Sequence, residues 1–79
     1  MHNNIETPLE NAITGDIEAF EKIVKQHQQF VYRVAFRLLA NKEDARDATQ
    51  ECFIRVWKNL HTFDQDKKLT TWLYRIIVN

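Results

Sequence analysis

Residues Asp44 to Trp57 read DARDATQECFIRVW, and this stretch decides the fold. Asp44, Asp47 and Glu51 recur three and four residues apart, so on a helix their side chains share one side. Ala45, Ala48, Cys52, Val56 and Leu60 recur on another face at similar spacing, with Phe53 and Trp57 beside them. A helix with one polar ridge and one apolar stripe needs other helices to cover the stripe. Asn41 is placed to cap it, Glu43 and Asp44 fall in the first turn where the helix dipole favours anions, and the pattern runs to about Leu60.

The same period extends upstream. Ile17, Phe20, Ile23, Val24, Phe30, Val31, Val34, Leu38 and Leu39 predict a long helix to about Ala40, with Asp16 as its cap. Thr7-Pro8-Leu9-Glu10 resembles a capping box with Pro in the first helical position. It opens a short helix from Pro8 to about Thr14, which Gly15 ends. Downstream, His61 to Lys68, HTFDQDKK, reads as a polar loop with one aromatic. Leu69, Trp72, Leu73, Ile76 and Ile77 mark a last helix. The expected architecture is all-α, a small three-helix bundle with a short extra N-terminal helix. The two longer helices should pack antiparallel because their connection is short, and the last should lie across them.

Composition agrees with this reading. At 79 residues, one Gly and one Pro leave little punctuation for hairpins. A single domain over residues 1–79 is expected. The lone Cys52 has no disulfide partner, which points to a reducing, cytoplasmic compartment. The polar start does not resemble a signal peptide, and the apolar runs are too short to insert in a membrane. The formal net charge is zero, yet the charge is unevenly spread. From residue 55 onward Arg55, Lys58, Lys67, Lys68 and Arg75 face only Asp64 and Asp66. A neutral chain is not built for indiscriminate nucleic-acid binding, but a basic C-terminal third suits a phosphate backbone delivered there by something else.

Two sets of residues carry possible chemistry. The acidic and amide stripe is either a solvated face with surface pairs of little value or a contact for a basic partner. The C-terminal third mixes aromatic candidates (Phe63, Trp72, Tyr74) with basic ones (Lys67, Lys68, Arg75). Opened nucleic acid offers unstacked bases to rings and phosphates to cations. Trp72 shares the Leu69–Leu73–Ile76 stripe of its helix, so periodicity alone favours core over a stacking platform, and Phe63 can simply plug the end of the bundle. Arg33 and Arg37, one turn apart, either pair with acids of the neighbouring helix or contact a partner. His2, His27 and His61 lack metal-ligand spacing, and Cys52 sits on the apolar stripe as a small core residue. No metal, no cofactor and no enzymatic activity are expected, since no nucleophile–base set or phosphate loop is visible.

Four segments, in order, carry a family resemblance: GDIEAFEKIVKQHQQFVYRVAFRLL, DARDATQECFIRVW, HTFDQDKK and TWLYRIIVN. Together they resemble the second conserved region of bacterial sigma factors of the extracytoplasmic-function class. That family normally continues through a linker into a second helical domain that reads the minus-thirty-five element, for which these residues hold no counterpart. Leu69 stands where the family often has Phe.

The resemblance implies a promoter-recognition module. It implies that core RNA polymerase is bound through the clamp-helix coiled coil of the largest subunit. By motif match the contacts fall on Asp47, Gln50 and Glu51, with Asp44, Phe53, Ile54 and Trp57 nearby. It implies a pocket for a flipped-out base of the non-template strand of the minus-ten element, mapping onto His61 to Lys68 with Phe63, Lys67 and Lys68. Thr71, Trp72, Arg75 and Asn79 would lie beside that strand. An anti-sigma factor covering Ile54 and Trp57 is also implied. The rival reading is a helical adaptor that binds protein alone.

Overall fold

The computed structural model describes residues 8–79. Its elements are α1 (Pro8–Ile13), α2 (Ile17–Leu39), α3 (Lys42–Asn59), one turn of 3-10 helix at Leu60–Thr62, and α4 (Leu69–Val78). This is the expected all-α bundle with its short leading helix, and each helix ends within a residue or so of the boundary predicted. The capping box expected at Thr7 lies outside the described residues.

The caps are the ones the side chains dictate. Gly15 sits at φ 102°, a left-handed turn that glycine enters without a Cβ clash. The Asp16 carboxylate then accepts from the backbone N–H of Glu18 at 3.0 Å and of Ala19 at 3.2 Å, satisfying two donors the helix itself cannot. At the other end of α2 the chain reverses in two residues. Ala40 takes a left-handed conformation (φ 55°) and its N–H donates to the Phe36 carbonyl at 2.7 Å. Asn41 caps α3 by accepting from the Asp44 N–H at 2.9 Å.

So short a connection makes α2 and α3 antiparallel neighbours. Phe20, near the start of α2, lies 4.8 Å centroid to centroid from Trp57, near the end of α3. α4 packs against both. Ile23 and Val31 of α2, Cys52, Phe53 and Val56 of α3, Leu60, Phe63 and Leu73 form one core. No polar or charged side chain is buried among the described residues.

The expected stripe of α2 is too wide at both ends. Ile17 and Leu38 are each 57 % exposed, and Leu39 is also exposed. The reason is length: at about 1.5 Å per residue, the 23 residues of α2 outrun the 18 of α3. The molecule is elongated, 47 × 21 × 17 Å. In their place Ala19 and Ala35 are buried, small residues at which neighbouring helices can come close.

Candidate functional site

α3 turns its polar residues outward as its period requires. Asp44, Asp47, Gln50 and Glu51 are all exposed, while Ala45, Cys52 and Val56 face the core. The carboxylates of Asp44 and Asp47 have no ion-pair partner among the described residues. Glu51 lies 3.8 Å from the Arg55 guanidinium one turn on, an exposed pair that contributes little to stability. The ridge therefore presents negative charge that the fold itself does not neutralise. Ile54, 48 % exposed, and Trp57, 37 % exposed, adjoin it. With Ile17, Phe20 and Val24 they line an apolar groove between α2 and α3. Phe53, expected near the contacts, is buried at 6 % exposure; it can hold the ridge in place but offers almost no surface.

The corner after α3 is more ordered than a polar loop. Asn59 and Thr62 turn back on the helix end, the Asn59 amide donating to the Arg55 carbonyl and the Thr62 hydroxyl to the Asn59 carbonyl. His61 and Thr62 belong to the 3-10 turn, and the Phe63 N–H donates to the Leu60 carbonyl at 3.0 Å. Asp64 builds the next turn: its carboxylate accepts from the Asp66 N–H and its carbonyl from the Lys67 N–H, both at 2.9 Å. That leaves Lys67 and Lys68 exposed at the entrance to α4. No side chain caps α4 and no acid lies in its first turn, so the positive end of its dipole is open to an anion.

Phe63 itself is in the core, 7 % exposed, with its ring 4.9 Å from that of the half-buried Trp72. Of its two readings as a stacking platform or a plug, the packing corresponds to the plug: the apolar ring closes the gap between the end of α3 and the start of α4. Trp72 belongs partly to the same cluster. Of the three aromatic candidates Tyr74, 49 % exposed, offers the most open ring.

The candidates on α4 divide between two grooves. Thr71 and Arg75 share one of about 430 Å³ with Thr70, Tyr74 and Phe30 of α2. Trp72 and Asn79 share another with Asn59 and Thr62. Thr70, Phe30 and Asn59 were missed from the sequence. Thr70 stands in the same segment as Thr71 and was within reach of the reading; Phe30 is 40 residues from Thr70, and no local spacing connects them.

Two titrations follow from burial. Desolvation pushes the Cys52 thiol up to about 11, against a smaller opposing effect of Arg55, so the sulfur is a protonated core group and a poor nucleophile near neutrality. Partial burial holds His27 below its ordinary value. Among the described residues no group of His, Cys, Asp or Glu is placed to hold a metal ion, and no helix is long and apolar enough to cross a membrane.

Residues 23–79 match the family described as Sigma-70 region 2. The chain belongs to the sigma-70 region 2 family. Over all 79 residues this region 2 domain is 38 % identical to the ECF RNA polymerase sigma factor SigW of Bacillus subtilis, covering 42 % of that protein. It is 42 % identical over 69 residues to the ECF RNA polymerase sigma factor SigE of Mycolicibacterium smegmatis, covering 26 % of it. The domain thus spans less than half the length of these curated relatives. Its fold matches an engineered region 2 of sigmaE, solved by NMR in complex with GTAAAA, with a TM-score of 0.85 and 34 % identity, over 100 % of this chain and 84 % of that one.

Proposed function

We propose that this region 2 domain docks on core RNA polymerase through the outer ridge of α3 and holds the melted minus-ten element with the residue 61–68 corner and α4. The observation that carries the reading is the match in fold, over the whole chain, to a sigmaE region 2 solved with GTAAAA. The exposed Asp44, Asp47, Gln50 and Glu51 suit a basic helical surface, which the family resemblance identifies as the clamp helices of the polymerase's largest subunit. Lys67, Lys68 and Arg75 suit the phosphates of the non-template strand, and the open end of α4 adds to the same field. His61, Thr71, Trp72 and Asn79 flank that path, and Phe63 supports it from beneath.

Residues 1–79 act as the region 2 module of a longer initiation factor in this reading. Ile54 and Trp57 are apolar, exposed and next to the ridge, so an anti-sigma protein that covered them would block the polymerase. A cytoplasmic site of action follows from the same partners. Capture of a clamp-helix fragment by the domain, lost in Asp47→Arg, and binding of single-stranded GTAAAA are the expected results. Clamp capture unaffected by Asp47→Arg would sink the polymerase half of the reading. Failure to bind the oligonucleotide alone and on polymerase would leave the adaptor reading in its place.

A further inference from the structure

The nine aromatic rings of the chain are not used alike. Six meet in pairs: Phe20 with Trp57, Tyr32 with Phe36, and Phe63 with Trp72. Phe53 is buried in the core. The two left over, Phe30 of α2 and Tyr74 of α4, line the same groove of about 430 Å³. Phe30 is half-buried against the core and Tyr74 is exposed. Neither is stacked on another ring of the domain.

The polar groups of this groove are unengaged as well. The hydroxyls of Thr14, Thr49 and Thr62 donate back to backbone carbonyls. Those of Thr70 and Thr71 make no hydrogen bond among the described residues. Arg75 has no ion-pair partner among them, and no acid lines the groove. Two rings, two free hydroxyls and one unpaired guanidinium fit one ligand chemistry, a planar base with its phosphate. The rings can stack on the base, the hydroxyls can bond to its edge, and the guanidinium can take the phosphate. Packing at the edge of the core explains Phe30 alone; it gives no reason for this set of groups around it.

The groove is separate from the one beside the corner. Trp72 and Asn79 share that other groove with Asn59 and Thr62, on a different side of α4, and the two have no residue in common. A strand held by the corner, Trp72 and Asn79 reaches Phe30 only by passing over the open start of α4, where Lys67 and Lys68 stand exposed. We propose that Phe30 and Tyr74 stack an unpaired base of the single strand just outside the minus-ten hexamer, with Arg75 on its phosphate. The proposal rests on the reading of the corner as a strand-binding surface. It adds a base site on α2, an element to which that reading gives no nucleic-acid contact.

The test compares the affinity of the full 79-residue chain for single-stranded GTAAAA with that for the same hexamer carrying two thymidines at its 5′ or its 3′ end. One of the two extensions should tighten binding by about fivefold or more, the effect of one stacked base. An abasic tail at that end, which keeps the phosphates, should lose the gain. Phe30→Leu keeps apolar volume without an aromatic face, and Tyr74→Ala removes an exposed ring. Each should bring the extended strand to within about twofold of the hexamer, with GTAAAA affinity and helical circular dichroism unchanged. Phe30→Tyr should retain the gain. Equal affinity for all three oligonucleotides overturns the proposal. So does a gain that survives in both variants or with the abasic tail, which would leave phosphate contacts alone. Weakened binding of GTAAAA itself in Phe30→Leu and Tyr74→Ala overturns the placement outside the hexamer. If the wild-type chain binds GTAAAA neither alone nor on polymerase, the strand-binding reading falls and the proposal falls with it.

Discussion

The outer ridge of α3 and the corner between α3 and α4 are built in opposite ways. The ridge is a surface that one helix makes by itself: Asp44, Asp47 and Glu51 project outward because they are three and four residues apart, and the fold beneath only has to hold the axis. The corner is a surface that packing makes. Phe63 is buried against Trp72, and Lys67 and Lys68 are positioned by the Asp64 turn above that contact. Charge on the ridge can therefore be changed without harm to the fold, whereas the corner's exposed lysines stand on part of the core.

The sharpest break of that comparison is Phe63→Ala. Removing a buried ring should cost about 3–5 kcal/mol, read as a large drop in the denaturation midpoint, with oligonucleotide binding lost as the corner loosens. A midpoint within experimental error of wild type would show that the corner does not depend on packing. Asp47→Arg should do the reverse. Clamp affinity falls by an order of magnitude or more while stability moves by no more than about 0.5 kcal/mol, as expected for an exposed substitution; a cooperative unfolding midpoint several degrees lower would contradict the independence of the ridge.

Lys67→Ala/Lys68→Ala tests the corner's surface without touching its core. The slope of log affinity for single-stranded DNA against log salt should flatten by about 1.4, two phosphate contacts at roughly 0.7 each, with little change in melting. An unaltered slope removes both lysines from the strand. The smallest effect belongs to neither region. His27 titrates below its ordinary 6.5 in the folded domain, so the unfolded chain binds more protons as pH falls past that value. Stability is thus present above the unfolded value and lost as pH falls through the folded one. His27→Gln should flatten this slope between pH 7 and 5; an identical slope in both proteins would assign it to other groups.

Much of the fold was legible because helices are written in local spacing. Asp16 and Asn41 cap where a short polar side chain precedes an apolar period, and Gly15 ends α1 where a positive φ is needed. The ridge was legible for the same reason. The overreach at Ile17, Leu38 and Leu39 shows the limit, since an apolar period tells which side of a helix seeks cover and not how much of its length a shorter neighbour can cover. Phe63 illustrates the same gap from the other direction: its local sequence leaves it open between a stacking ring and a plug for the end of the bundle, and the packing against Trp72 decides for the plug.

The sequence by itself determined that this chain is a set of capped amphipathic helices with an acidic face on α3 and a basic, aromatic C-terminal third. Those properties depend on neighbours within one or two turns. Only the tertiary structure decided that Phe63 and Trp72 interlock, that Phe30 joins Thr71 and Arg75 on one groove, and that Arg33 faces Arg46 across another. Each of these joins residues on different elements, and the register in which antiparallel helices pack is set by the whole core at once.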